Sequence, residues 1–450
     1  MSTVKVNKIT PRTCNSIQLG ESGDTLTIPS GATLQNCGTA TGFGLSFCST
    51  VKTSPFTATA GKGFFINTGS AVTVTLPASP SAGDELIVVD STGQASCNAI
   101  TLGRNGSKIK GGCADLLMTT DRGGLRIVYS GASQGWITAT AGNDASLQPA
   151  FIAATGGTES TFGDFKIHTF TSDSTFQVTR TAASAPNNVI DYIVVAGGGG
   201  GGSGTSAGSG GGGAGGYRSF TAQPVSVQSY PVVIGAGATG APPGANPVPA
   251  GSQGSTSTFI SNSSAGGGGG GSQQGPTPIP AINGGPGGSG GGGGYNGGTG
   301  GTGNTPPVSP PQGNNGAAIG PGCNGGGGGG AGAAAVTGPS PVGSVGGVGV
   351  DISPSYGPGA GDSGFVAGGG GGGGYTAIGT IAGGNGGGGD GFGGGGPTSP
   401  TSGVATATNG TANTGGGGGG AGSQVGPPIG PSMTIGAGGS GVVIVRYKFQ

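Results

Sequence analysis

The chain has 450 residues, of which 118 are Gly and 31 Pro, a share at which low-complexity or disordered sequence is the default reading. Charged residues make up only 7% and the formal net charge is zero, so the glycine lacks the solvating charge of disordered segments. Glycine does not recur at every third position, which excludes a collagen triple helix, and scattered lysines and arginines give no footprint for nucleic acid.

Residues 1–50 alternate β-branched and polar residues in short runs (Val4, Val6, Ile9; Ser16 to Leu19; Thr25 to Ile28; Ala32 to Leu34) broken by Gly20, Gly23, Pro29 and Gly31. Such runs predict brief strands joined by tight turns. They hold too few large apolar groups for a lone domain, which an intertwined homotrimer would remedy. The opening residues lack the apolar core of a secretion signal, so the chain is expected to fold in a reducing compartment. Cys14, Cys37, Cys48, Cys97, Cys113 and Cys323 have no CxxC spacing and read as small buried residues. Cys97 and Cys113, flanking one short strand pattern, are the pair placed to bridge.

Residues 51–142 carry a richer strand pattern: Phe64 to Ile66, Ala71 to Leu76, Glu85 to Val89, Ala99 to Leu102, Leu116 to Thr119, Leu125 to Tyr129 and Trp136 to Thr138. Without helical periodicity, they predict an all-β module, a small sandwich or barrel. The polar stretch 143–163 reads as a linker. Residues 164–450 open with a predicted hairpin, Asp164 to Phe170 and Thr175 to Thr179, followed by the strongest strand, Val189 to Val195. Its expected partner is distant, Gly441 to Phe449, so everything between would be an insertion from one β scaffold.

That insertion holds glycine runs at 197–202, 210–213, 266–271, 290–294, 325–330, 368–374, 386–389, 393–396 and 415–420, separated by stretches rich in Pro, Ser, Thr and Asn. Between Tyr192 and Val445 the only charges are Arg218, Asp351, Asp362 and Asp390. The runs could form a disordered spacer. Alternatively each could be an extended threefold helix of polyproline-II geometry, rising about 3.1 Å per residue. Such helices lack internal hydrogen bonds and must bond to neighbouring helices, and only glycine permits the approach on every side. The scarcity of charge, the repeated run length and the flanking strands favour the ordered bundle.

The block Ile193-Val-Val-Ala-Gly-Gly-Gly-Gly-Gly-Gly, with Gly215-Gly-Tyr-Arg, Tyr230-Pro-Val-Val-Ile-Gly-Ala-Gly and Gly438-Gly-Ser-Gly-Val-Val-Ile-Val-Arg-Tyr, resembles the glycine-rich domain of phage tail fibres. It is also similar in plan to the tip adhesins of T-even-type phages, built from polyglycine-II helices with variable host-matching loops. Thr73 to Asp84, Leu102 to Ile109 and Ile127 to Ala132 resemble a β module of marine and cyanobacterial podovirus tail fibres, and Ser2 to Ile9 with Ile28 to Leu34 resemble the start of the same fibres. The resemblance implies a homotrimeric virion protein, all-β and fibrous. Residues 1–50 would attach to tail or adaptor proteins, and 164–450 would recognise a host surface glycan or outer-membrane protein. Unlike the T-even adhesin, this chain carries its own fibre-like N-terminal half.

Hydrolytic chemistry on a glycan needs two facing carboxylates. The only glutamates are Glu21, Glu85 and Glu159, and adjacent Asp84 and Glu85 would face opposite sides of a strand. His168 lies in an alternating run and reads as a sheet residue. No Gly-Lys-Ser/Thr follows a glycine run, so no nucleotide loop and no cofactor are expected. Non-enzymatic binding is the better reading: Tyr295, Tyr356, Tyr375 and Phe392, with Asp351, Asp362 and Asp390, are the candidate receptor-binding residues, since aromatics among Gly and Ser give adaptable recognition surfaces. The same aromatics could instead cap the glycine helices. Rival readings are a capsid or neck fibre of structural role and, in another class, an ice-binding protein.

Overall fold

The structure is a computed structural model that describes residues 45–139, 147–204, 208–243, 249–273, 282–295, 297–319, 324–338, 343–374, 378–394, 406–422 and 433–449. Its regular secondary structure is nearly all strand, with almost no helix. The seven sequence-predicted strands of the first module recur and, with Ser46–Phe47, Phe56–Thr57 and Leu147–Pro149 added, form two five-stranded sheets. One runs Ser46–Phe47, Lys62–Ile66, Glu85–Asp90, Gly124–Tyr129, Trp136–Thr138; the other runs Leu147–Pro149, Leu116–Met118, Ile100–Gly103, Val72–Thr75, Phe56–Thr57. Alternate residues of each strand point inward, so Phe64, Ile66, Val74, Leu86, Val88, Leu102, Ile127 and Trp136 fill one core between the sheets. At the end of the Glu85–Asp90 strand the buried Asp90 carboxylate accepts hydrogen bonds from the Thr68 hydroxyl and the backbone N–H groups of Thr92, Gly93, Ala95 and Arg122.

The sequence-based picture needs correction at three points. The stretch 143–163 is not a plain linker: Leu147–Pro149 joins the first module, while Ala153–Thr155 and Thr158–Phe162 are edge strands of the next two sheets. The latter is exposed along its whole length, so it has no apolar alternation to read. Cys97 and Cys113 are exposed free thiols, neither buried nor bridged. The predicted hairpin is not one: Phe165–Phe170 pairs with Thr158–Phe162 and Val442–Lys448, whereas Ser174–Arg180 pairs with Ala153–Thr155 and Ser229–Val233. The turn between them crosses from one sheet to the other, and Phe170 meets Phe176 across the core with ring centroids 6.3 Å apart.

These two sheets, both antiparallel throughout, form the scaffold. The expected long-range pairing is present, Val195 opposite Val442 through Asp191 opposite Arg446. One face of this sheet packs on the partner sheet through Tyr192, Val194, Phe176, Phe259 and Val445. The other packs on Ile352, Tyr356 and Val366 through Ile193, Val195, Val442 and Ile444. Burial on both faces is why these two strands read as continuous apolar runs instead of alternating ones. His168 is fully buried in this sheet, its Nδ1 2.7 Å from the Gly156 carbonyl and its Nε2 3.3 Å from the Tyr447 hydroxyl.

From the scaffold the glycine segments extend as an ordered bundle. In the first, Gly197 and Gly200 donate to Ser255 and Ser252, Gly198 and Gly201 to Gly439 and Gly436, and Gly199 and Gly202 to Gly213 and Gly210. The same residues accept, in the same order, from Gly267 and Gly270, Ala238 and Ala241, and Gly418 and Ala421. Each neighbour is thus met at every third residue. The repeat belongs to neither an α-helix nor a strand, and no bond lies within the run. A Cβ on any of these glycines would stand 2.0–2.2 Å from a neighbouring carbonyl oxygen, which is why the run is pure glycine. Segments at the edge of the bundle keep the register but expose every third residue, as with Ala236 and Thr239, Thr299 and Thr302, or Val345 and Val348.

Candidate recognition surface

The bundle has two unlike ends. Segment 197–204 leaves the sheet from Val195, 209–216 returns into the Tyr217–Pro224 strand, and 433–441 returns into Val442–Lys448. Following the hydrogen-bond register through the other segments gives the same alternation. The described residues flanking 205–207, 244–248, 274–281, 296, 320–323, 339–342, 375–377, 395–405 and 423–432 all stand at the end far from the sheet. None of those nine stretches contains Asp, Glu, Lys or Arg.

The candidate residues divide between these ends. Tyr295 is half-buried in the turn that closes the 290–294 run at the far end. Phe392 lies in the Gly391–Gly394 strand toward the same end, where it packs partly buried against Ala407, Ala421 and Met433. Asp390 holds the flank of the bundle together: its Oδ1 accepts from the Gly383 N–H at 2.9 Å, and its own N–H donates to the Thr408 hydroxyl at 2.7 Å. Tyr375 lies outside the described residues.

Asp351, Tyr356 and Asp362 are at the opposite end, beside the sheet, so no single surface unites the seven candidates. Tyr356 corrects the expectation most plainly, because it is a core residue of the short Ser353–Tyr356 helix and not a displayed aromatic. Burial pushes its phenol well above the ordinary tyrosine range. The Arg446 guanidinium lies between the rings of Phe165 and Tyr356, at 4.5 and 5.3 Å from their centroids, and is ion-paired to Asp191 at 3.0 Å. Asp351 is exposed, and hydrogen bonds from the Ser353 hydroxyl and N–H hold its carboxyl below the usual carboxylate range. Asp362 is exposed in the turn that closes onto Phe365.

Several residues that organise both ends were not singled out from sequence. Ser203, Ser209 and Ser272 border glycine runs and are fully buried. The Ser272 hydroxyl accepts from the Ser203 N–H at 3.0 Å, and the Ser209 hydroxyl donates to the Ala421 carbonyl at 2.8 Å. At the sheet end the buried Gln312 amide accepts from the Ala265 N–H and donates to the Pro306 carbonyl, tying down residues 304–312. A lone Ser abutting a glycine run was the available signal for the first group; Gln312 had none.

Among the described residues no charged cluster or paired carboxylates gather at the far end, so what they offer there is an uncharged, hydrogen-bonded support for the connections between runs. The curated proteins yield no match to this chain. A family model described as a glycine-rich domain matches residues 171–448. That match takes in more than half of the chain, from the turn before Ser174–Arg180 to the end of Val442–Lys448, and the chain therefore belongs to the glycine-rich domain family.

Proposed function

We propose that this chain is a phage tail fibre protein that recognises the host-cell surface by non-enzymatic binding. In this reading it is a virion homotrimer: residues 1–50 join tail or adaptor proteins, the first sandwich is the shoulder, and the glycine runs are polyglycine-II-type helices presenting host-specific connections at the end far from the sheet. The observation that carries it is the separation of roles within the insertion. Backbone hydrogen bonds repeating every third residue fix the runs, and the described residues that border the Pro-, Ser- and Thr-rich stretches 274–281, 395–405 and 423–432 all stand at the end far from the sheet. A rigid support with adaptable neutral connections suits recognition, since little ordering entropy remains to be lost by the frame on binding.

The receptor is then a neutral glycan or an outer-membrane protein face, bound without long-range electrostatics. Purified chain should compete with phage for adsorption, and exchanging residues 395–405 and 423–432 for those of a related chain should redirect it to another host. Failure to bind cells or isolated envelope, together with an unchanged host range after exchange, would refute the adhesin reading. Antibody labelling at the capsid or neck of the particle would support a structural decoration instead.

A further inference from the structure

We propose a second ligand site, for a carboxylate-bearing saccharide, in the groove where the first sandwich meets the scaffold. It is independent of the recognition reading, because the groove lies beside the sheets and not at the far end of the bundle. Its volume is about 390 Å³, and both modules build it, Lys110 and Leu116 from one and Lys166, Arg180, Tyr447 and Phe449 from the other. That size falls in the range of small-molecule sites, roughly 300–1,000 Å³.

The walls are fixed. Leu147–Pro149, the strand that leads toward the scaffold, pairs with Leu116–Met118 within the first module, the Ala150 N–H donates to the Asp115 carbonyl at 3.1 Å, and across the junction the Arg104 guanidinium stands 5.9 Å from the Phe449 ring centroid. Part of the lining is apolar, with Leu116, Ile152 and Phe449. Three cations scattered in the sequence converge on it in a chain of zero net charge. Two nearby carboxylates are already engaged, Glu159 with Lys166 at 3.0 Å and buried Asp115 with the Arg104 N–H at 2.9 Å, and a third, Asp164, whose carbonyl accepts from the Phe449 N–H, is exposed. Arg180 makes no ion pair among the described residues.

Apolar lining together with three cations matches a pyranose carrying a carboxylate, whose ring face packs on the apolar side chains while Arg180 takes the carboxylate through two parallel N–H donors. A simple inorganic anion would use only the cations. Calorimetric titration of the full chain with digalacturonate should give saturable binding that weakens with added salt, with no comparable binding of a neutral disaccharide. Arg180→Ala should weaken it by about tenfold, and Arg180→Lys by less, because the charge remains without the planar fork. Arg180 is exposed at the end of its strand, and unchanged thermal unfolding of both variants would exclude a folding defect. Equal binding of the neutral disaccharide, no binding of digalacturonate, or an unaffected Arg180→Ala chain would each overturn the site. Competition by inorganic phosphate as effective as by digalacturonate would overturn the saccharide assignment.

Discussion

Gly199 lies in the glycine run that six neighbours enclose, and Gly199→Ala tests whether that packing is real. The added methyl would stand 2.2 Å from the Gly268 carbonyl oxygen and 2.6 Å from its carbon. A carbon-to-oxygen contact needs about 3.3 Å, so the segment 265–273 must retreat by roughly 1 Å. The Gly267-to-Gly197 and Gly270-to-Gly200 hydrogen bonds, 2.9 Å each, then stretch past bonding distance. Their loss costs about 1 kcal/mol apiece and overpacking about 1–3 more, against which alanine recovers about 0.4–1 kcal/mol by restricting the unfolded chain. The net is a destabilisation of about 2–4 kcal/mol. Gly359→Ala is the control, for its methyl would meet nothing within 4 Å. Scanning calorimetry should show a melting transition several degrees lower for the first variant only, with faster amide exchange through the bundle. Equal melting and exchange in the two variants would refute the close-packed run.

Asp90 should stabilise the first sandwich in a pH-dependent way. Burial alone would raise its carboxyl, but the Thr68 hydroxyl and the N–H groups of Arg122, Gly93 and Ala95 outweigh it and bring the pKa to about 2. Against about 3.9 in the unfolded chain, this contributes about 2–3 kcal/mol, present in full above about pH 4 and lost as pH falls through about 2. Urea unfolding followed by the fluorescence of Trp136, the single tryptophan, should show that decline in the parent and its absence in Asp90→Asn. Burial pushes His168 below its ordinary value, so the scaffold should lose stability as pH drops below about 6.5, and His168→Phe should remove that slope in denaturant titrations. Arg446→Ala removes the ion pair to Asp191 and the filling between Phe165 and Tyr356, and should cost about 1–3 kcal/mol in the same titrations. Adsorption through uncharged connections should change little between about 0.05 and 0.5 M salt in a cell-binding assay.

In the first module strands were legible where one face met a core, because alternation survives in residues such as Glu85 to Val89, whose burial alternates along the strand, whereas Ser229–Val233 alternates in the same way but was passed over inside the glycine-rich insertion. They were illegible where neither face is covered, as in Thr158–Phe162, or where pairing is decided by distant chain, as for Phe165–Phe170. In the bundle, the pure runs carry information about neighbours on all sides, and the spaced runs, such as Gly298-Thr-Gly-Gly-Thr, mark the edge by the residue allowed at every third place. Composition could not tell which end of the bundle a given aromatic occupies. Tyr295 and Tyr356 sit in similar Gly- and Ser-rich surroundings, and only the direction of the chain through the register separates a far-end turn from the packing under the sheet.

Because the insertion departs from Val195 and comes home to Val442, directly opposite on the neighbouring strand, its outward and inward segments must occur in pairs. An outward and inward couple lying at the rim has few segments beyond it to displace. Gain or loss of such a couple would lengthen or shorten the chain by a few dozen residues and leave the sheet junction, and the direction in which the far end points, where they were. The architecture can therefore widen or narrow its outermost face in discrete steps while the frame that carries it stays the same.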